Sequence, residues 1–330
     1  MFKILRIFTI GCGLIGNKRA ENINNKYAKI VACNDIDKKN SEKFSKKFNC
    51  EIAENYKSLD LNKFDIAFIS TTHDKLFEIA KFFISKKKHV FIEKPGALNI
   101  KQVAHLYKLH LKNKNINAGI GLNHRFHPAF IKAFDLIKKK KIGDLMFIRG
   151  QYGHGGRIGY NKEWRAKSKI AGGGEMIDQG SHLIDLSIKL LGELTVVNGE
   201  IRNYYWNMEV EDNCFLTLEN KKKNIAFLQA SCTEWKNTFN FEIYGKKGKI
   251  QIFGLGRSYG VETLKLFIMK KKMGPPKTIE YKYNKKDLSW KLEQDNFFKS
   301  ILDKKILKKY AALKDMYEIH KIMNQIYLNK

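Results

Sequence analysis

The chain has 330 residues, 43% of them apolar, which suits two domains with sizeable cores. No stretch approaches the roughly 20 apolar residues of a membrane span, and five scattered cysteines without a C-x-x-C pair argue against a disulfide framework and a cysteine zinc site, so reduced thiols and a cytoplasmic location are expected. The formal charge of +29 would suit a nucleic-acid binder, but it lies in short lysine runs (86–88, 138–141, 221–223, 270–272) across the whole chain, so solvated faces account for it and neither nucleic acid nor membrane is expected as a partner.

Residues 4–16, ILRIFTIGCGLIG, read as a buried strand feeding a helix through Gly11, Gly13 and Gly16, spaced G-x-G-x-x-G with Cys12, Leu14 and Ile15 between them. The first glycine permits a tight turn, the second lets backbone approach a pyrophosphate, and the third lets helix and strand pack closely. The helix N-terminus adds N–H groups and positive dipole. A glycine turn after a strand is common, so the motif alone is weak; the residues that follow strengthen it. Strand 30–33 ends at Asn34-Asp35, and Asp35 is about 20 residues beyond the glycines, where an acid would bind a ribose hydroxyl. An apolar run at the start of the chain could be taken for a short signal peptide, but Arg6 interrupts it and it forms the glycine turn.

A helix is predicted over 38–48, with Phe44 and Phe48 on one face, then a strand over 65–70 buried on both sides. Thr71-Thr72-His73-Asp74 caps a helix over 75–85. Strand 89–92 closes on Glu93-Lys94-Pro95, and helix 100–112 leads to strand 116–122. This alternation predicts an α/β domain over 1–122 with a doubly wound parallel sheet. In such sheets ligands bind beyond the carboxyl ends of the strands, so 11–16, Asp35, 71–74, Glu93, Lys94 and Asn123 are expected in one crevice.

From residue 123 the texture changes. Helix 129–140 and strand 145–152 precede the polar loop GHGGRIGYNKEWR (153–165), and Gly172, Gly173 and Gly174 open a helix over 175–191. Strands at 196–201, 214–218, 225–232, 239–244, 249–253 and 264–267 follow with hardly a helix between them, and two helices, 290–302 and 311–327, end the chain. The pattern predicts an α+β second domain, 123–330, on an open, mostly antiparallel sheet.

Lys94 stands at a strand end over the predicted cofactor crevice, between Glu93 and a stiffening Pro95. Asp178 and His182, four residues apart on one helix, fit a general base and the carboxylate that steadies its charge. On those two residues alone the plainer account, a capping aspartate and a core histidine, is preferred. Metal ligation with Asp185 lacks a supporting Cys/His cluster, and no metal is expected. His154, Arg157, Arg165 and Arg125 add cations to the predicted site, which would suit an anionic, phosphorylated or nucleotide-linked substrate.

Together, the glycine turn, Glu93-Lys94-Pro95, the run Asn123-His124-Arg125-Phe126-His127-Pro128, Trp164-Arg165 and GGGEMIDQGSHLIDL (172–186) resemble the glucose-fructose oxidoreductase, inositol dehydrogenase and MocA (Gfo/Idh/MocA) family along essentially the whole chain. The resemblance implies an N-terminal Rossmann domain and a nicotinamide-dependent oxidoreductase acting on a secondary hydroxyl of a sugar-like substrate. It also implies a C-terminal sheet that forms homo-oligomer contacts, as a dimer or tetramer. Lys94 would touch nicotinamide and reacting hydroxyl, His182 would be the acid/base, Asp178 its partner, and Trp164 and Arg165 would lie near nicotinamide or substrate. Thr71 and His73 replace a loop in which the family often carries Thr-Pro-Asn-x-x-His; they keep hydrogen-bonding capacity for the cofactor. NAD is expected over NADP because Asp35 would repel a 2′-phosphate, with Lys38 and Lys39 keeping NADP open. The alternatives are a cyclitol dehydrogenase and a catalytically silent NAD-binding sensor.

Overall fold

The computed structural model describes residues 3–256, 258–284 and 286–329. They divide into two compact units, Met1–Asn123 with Trp290–Tyr317, and His124–Ser289 with Glu318–Lys330.

The first unit alternates strand and helix: β1 (Leu5–Ile10), α1 (Leu14–Glu21), β2 (Ala28–Asn34), α2 (Lys38–Phe48), β3 (Glu51–Ile52), β4 (Ile66–Ile69), α3 (His73–Ser85), β5 (His89–Glu93), α4 (Ile100–Lys112) and β6 (Ala118–Gly121). These six strands run parallel in the order β6-β5-β4-β1-β2-β3, the order of the dinucleotide fold, so the chain reverses direction across the sheet between β1 and β4. The central strands are apolar on both faces, and every residue of β4 and β6 is buried. Local signals set the helix starts. Asp37 accepts from the Lys39 N–H at 2.9 Å, and Asn99 accepts from Gln102 while the Gln102 amide oxygen accepts from the Leu98 N–H, a reciprocal cap. Helix α3 starts at His73, two residues before the expected position, because Thr72 is already extended as its N-cap.

The second unit begins with α5 (Pro128–Lys138), β7 (Leu145–Gly153) and the short α6 (Ser168–Ala171). A π-helical stretch, Met176–Gly180, then passes into α7 (Ser181–Leu191). Strands β8 (Thr195–Arg202), β9 (Asn213–Glu219), β10 (Ile225–Ser231), β11 (Thr238–Gly245), β12 (Gly248–Phe253), β13 (Glu262–Ile268) and β14 (Lys277–Tyr283) join β7 in an eight-stranded sheet ordered β14-β13-β12-β11-β7-β10-β9-β8. Its pairings are antiparallel except β7 with β10. Gly150 on β7 lets α7 approach, since a Cβ there would stand 3.2 Å from Leu183.

The last part of the chain corrects the expected boundary. Helix α8 (Ser289–Leu302) and β15 (Ala311–Ala312) precede α9 (Leu313–Leu328), and Trp290–Tyr317 belongs with the first unit rather than with 123–330. Four contacts among others draw it back. β15 pairs antiparallel with β6, Phe297 and Phe298 pack their rings on Phe91 and Phe68, and Glu293 meets the buried Arg19.

Candidate active site

In the first unit the glycine loop has the shape a dinucleotide requires. Gly11 has φ +91° and donates its N–H to the Asn34 carbonyl, and a Cβ on it would stand 2.5 Å from the Ser70 oxygen. A Cβ on Gly16 would collide with the Gly11 carbonyl, whereas at Gly13 nothing lies within 4 Å. The two constrained glycines close the turn and the third leaves room over the N-terminus of α1, where a pyrophosphate would sit; the residues present therefore fit a dinucleotide. Leu14 is exposed on the rim, Ile15 is half-buried, and Cys12 is buried.

Asp35 grips this loop from β2. One carboxylate oxygen accepts the Cys12 N–H at 2.6 Å and the other accepts the Asp37 N–H at 2.9 Å, and the carboxylate is half-buried. Ile36, directly after it, is fully exposed, an apolar side chain suited to the flat face of a heterocycle. The one hint of Ile36 in the sequence is a single apolar residue among Asp and Lys.

Thr71 and Thr72 follow β4 beside Gly11. The Thr71 hydroxyl donates to the Thr72 carbonyl at 3.2 Å, Thr72 donates to Asp74 at 2.7 Å, and His73 is buried at the start of α3. At the end of β5, Glu93 turns its carboxylate to Arg19, which is 1% exposed and also meets Glu293. Glu93 thus anchors the strand end to α1. Burial pulls the Arg19 guanidinium down, but the two carboxylates more than offset it and its pKa is raised. Lys94, the next residue, is half-buried and joined to Pro95 by a cis peptide bond.

In the second unit, His182 is 6% exposed on α7, with its ring stacked on His124 at 3.8 Å between centroids and 27° between planes. Tyr152, at the end of β7, closes the group, with its ring 5.2 Å from His124 and 6.1 Å from His182. Burial pushes the Tyr152 phenol far up, so it stays a neutral hydroxyl. His124 and Tyr152 were not among the expected site residues, because the contacts join positions 58 and 30 residues from His182 in sequence.

Asp178 is on the π-helical stretch, not on a regular α-helix as expected, and Arg165 Nε lies 3.7 Å from its carboxylate. The Arg165 guanidinium also stands 4.5 Å from the Trp164 ring, so Trp164, Arg165 and Asp178 form one group. Single π turns are rare and recur at functional sites.

The remaining expected cations are engaged by carboxylates. Arg125 makes a two-pronged pair with Asp185, both buried, which also removes Asp185 from metal ligation. Arg157 meets Glu163 at 2.7 Å. His154 Nε2 lies 3.6 Å from Glu175, and its Nδ1 accepts the Gly156 N–H. Burial lowers the His154 pKa, but the Glu175 carboxylate and the charge of Asp178 outweigh it and the net shift is upward. Glu175 is 2% exposed and also accepts from the Tyr160 hydroxyl at 3.1 Å.

Comparison with known proteins agrees with this arrangement. Residues 5–121 match the profile described as "Oxidoreductase family, NAD-binding Rossmann fold", and residues 130–251 match the GFO/IDH/MocA C-terminal domain. The chain belongs to the GFO/IDH/MocA family. Among curated relatives, levoglucosan dehydrogenase of Pseudarthrobacter phenanthrenivorans is 31% identical over 147 residues, 44% of this chain and 37% of that protein. The 2,7-anhydro-N-acetylneuraminate hydratase of Escherichia coli is 29% identical over 259 residues, 74% of this chain and 66% of its own. The chain thus spans from about a third to two-thirds of the length of these relatives. A solved levoglucosan dehydrogenase in complex with NADH and levoglucosan superposes with a TM-score of 0.87 at 20% identity, over 99% of this chain and 98% of that one, a likeness of fold. Among the described residues, no helix is long and apolar enough to cross a membrane.

Proposed function

We propose that this family member is an NAD-dependent oxidoreductase that interconverts a secondary hydroxyl and a ketone on a neutral, sugar-like substrate. The observation that carries this is a buried histidine, His182, one turn beyond Asp178 on the π-to-α helix, in a chain whose other unit has the glycine cradle of an NAD-binding domain. Bound nicotinamide would supply or take the hydride. His182 accepts the hydroxyl proton and returns it in the reverse direction, and Asp178 steadies the imidazolium that forms. The Lys94 ammonium, a hydrogen-bond donor, offsets the negative charge that develops on the reacting oxygen. Arg165, set against the Trp164 ring, faces Asp178 and helps shape the substrate's surroundings. A neutral substrate fits because Arg125, Arg157 and Arg165 each face a carboxylate already.

The carboxylate of Asp35 favours NAD over NADP by repelling a 2′-phosphate, while its two backbone contacts hold it in place. Exposed Ile225 and Phe227 on β10, with the Phe147–Tyr244 stack on neighbouring strands, give the second sheet an apolar face suited to a homo-oligomer contact.

Turnover of a sugar and cyclitol panel with NAD, followed at the nicotinamide absorbance, tests the reading. His182→Ala should keep NADH affinity and melting temperature while turnover falls by roughly 10² to 10⁴. Full specific activity in that variant would remove the base. A second reading, hydration of an unsaturated or anhydro sugar, is favoured by the name of the E. coli relative; product formation without net NADH accumulation would select it.

A further inference from the structure

Beside the loop that carries His154 and Arg157, the second unit exposes a group of aromatic rings. Tyr204, Tyr205 and Trp235 are 67%, 61% and 65% exposed. Water-exposed Trp and Tyr rings are costly to display, and a contiguous set marks a contact surface. The rings are ordered by their neighbours. Tyr205 stands nearly perpendicular to Trp206 at 5.1 Å and to Trp235 at 4.7 Å, so the exposed faces meet at a corner.

Two features hold this corner rigid. The buried Asp212 carboxylate accepts the backbone N–H groups of Tyr204, Tyr205 and Trp206, and the Trp206 indole donates to the Cys232 carbonyl at 2.8 Å. Trp235 has φ +56°, a left-handed conformation that a bulky side chain rarely adopts, so the fold holds the indole outward against backbone strain. Strain of this kind, on an exposed ring, calls for a role.

The corner is continuous with the candidate site. Glu234, the residue before Trp235, donates its N–H to the His154 carbonyl at 3.0 Å. Rings run from His154 to Tyr160 at 5.5 Å and from Tyr160 to Trp206 at 5.8 Å. Loop 154–157 lies directly against the aromatics, since a Cβ on Gly155 would stand 2.9 Å from the Trp235 backbone and one on Gly156 would overlap the Trp206 ring. His154 in turn faces Glu175, three residues from Asp178.

We propose that Tyr205 and Trp235 form a stacking subsite for a second, non-reacting pyranose ring, so that the substrate is a neutral glycoside or oligosaccharide rather than a free monosaccharide. This rests on the oxidoreductase reading for the ring that reacts. The C–H face of a pyranose is apolar and flat, and a rigid Trp or Tyr ring meets it with little loss of conformational freedom. A nucleotide would also stack, but its phosphates would meet the Glu234 carboxylate, which accepts from the neutral amides of Gln151 and Gln229, and an Arg157 already paired with Glu163.

The test is binding rather than turnover, so that it reads separately from the hydride chemistry. Tryptophan fluorescence of the NADH-bound protein is titrated with glucose, maltose, cellobiose and dTDP. We expect at least one disaccharide to bind about tenfold tighter than glucose, and Trp235→Asn to erase that advantage while glucose affinity stays unchanged. Asparagine tolerates the left-handed backbone, so this variant should melt no lower than the parent. Tyr205→Ala should behave likewise. Disaccharides binding no tighter than glucose, or dTDP alone binding in a Trp235-dependent way, would overturn the subsite. So would dissociation of an oligomer on Trp235→Asn in sedimentation velocity, which would make the corner an interface between copies of the chain. Failure of the oxidoreductase reading would show instead as absence of turnover with disaccharide binding intact.

Discussion

The buried guanidinium of Arg19 links the two motifs of the nucleotide-binding unit, and its removal has a calculable cost. It comes from α1, directly beyond the glycine turn, and meets Glu93, directly before Lys94, and Glu293 of α8. Arg19 is 1% exposed, Glu93 8% and Glu293 0%, with the Arg19 guanidinium packed 4.7 Å from the Phe91 ring and 4.2 Å from the Trp290 ring. Arg19→Met keeps much of the length and removes the charge, leaving two carboxylates buried together. Removing one partner of a buried ion pair costs about 3 to 5 kcal/mol, because the charge left behind has lost both its water and its counter-ion. For a unit of this size each kcal/mol lowers the melting temperature by roughly 2 to 4 °C, so the variant should melt about 6 to 20 °C lower. Trp290 lies on the network and reports the transition by its fluorescence. The stranded carboxylates can stay buried only by taking up protons, so acidification should recover part of the loss in the variant. The triple variant Arg19→Met, Glu93→Gln, Glu293→Gln should regain most of the stability, since an uncharged replacement of the whole network leaves no unpaired charge. A single variant that melts within about 1 °C of the parent would refute the assignment of Arg19 as the tie between α1 and the end of β5.

Three further outcomes are expected. Asp35→Ser should shift cofactor preference toward NADP, read as the ratio of NADPH to NADH dissociation constants, and an unchanged ratio would deny Asp35 its part in selectivity. The His154 pKa is raised in the folded state, so its ion pair with Glu175 stabilises the protein below the ordinary histidine value of about 6.5 and that contribution is lost as pH rises through the folded value. Glu175→Gln, which still accepts from Tyr160, should lower the His154 titration midpoint by NMR and flatten the melting temperature between about pH 6 and 8; equal slopes in both proteins would discount the pair. Arg157→Ala should change KM for neutral and phosphorylated sugars alike, by less than about twofold, because its guanidinium is exposed and already paired, and a rise confined to the phosphorylated sugar would restore a phosphate role.

The nucleotide-binding unit was legible wherever the physics is local. Gly11, Gly13 and Gly16 report backbone needs that only glycine meets, the apolar runs of β1, β4 and β5 report burial on both faces, and their alternation with helices implies a parallel sheet. The expected elements of this unit lie within a few residues of those observed. What stayed hidden depends on partners distant in sequence. Nothing local marks Trp290–Tyr317 as returning to the first unit, since its ties, among them a strand pairing with β6, two phenylalanine contacts and a charge for Arg19, are all to residues distant in sequence. Strand β14 was missed because it lies at the sheet edge, where even its alternating Ile279, Tyr281 and Tyr283 are only half-buried and the positions between them are exposed and polar. The arginines looked like an anion site because sequence displays the cations and conceals their partners, Asp185 and Glu163.

The candidate pair Asp178 and His182 was expected on one backbone and lies on another. Four residues along an α-helix bring Asp178 and His182 to one face, and that spacing argued for their pairing. The stretch from Met176 to Gly180 is instead wound as a π turn, which is wider and shifts the register of everything before it relative to α7. Gly174 explains why the wide turn starts where it does. A Cβ on Gly174 would collide with the Glu211 carbonyl, and the Glu211 carbonyl accepts the Glu175 N–H at 3.1 Å, so the first turn is fastened to that strand-flanking backbone before the helix is established. From that fixed start Asp178 faces Arg165, while α7, seated on β7 at Gly150, stacks His182 against His124. The glycine run therefore does more than open a helix: it permits the close approach to Glu211 from which the stretch carrying both candidate side chains begins.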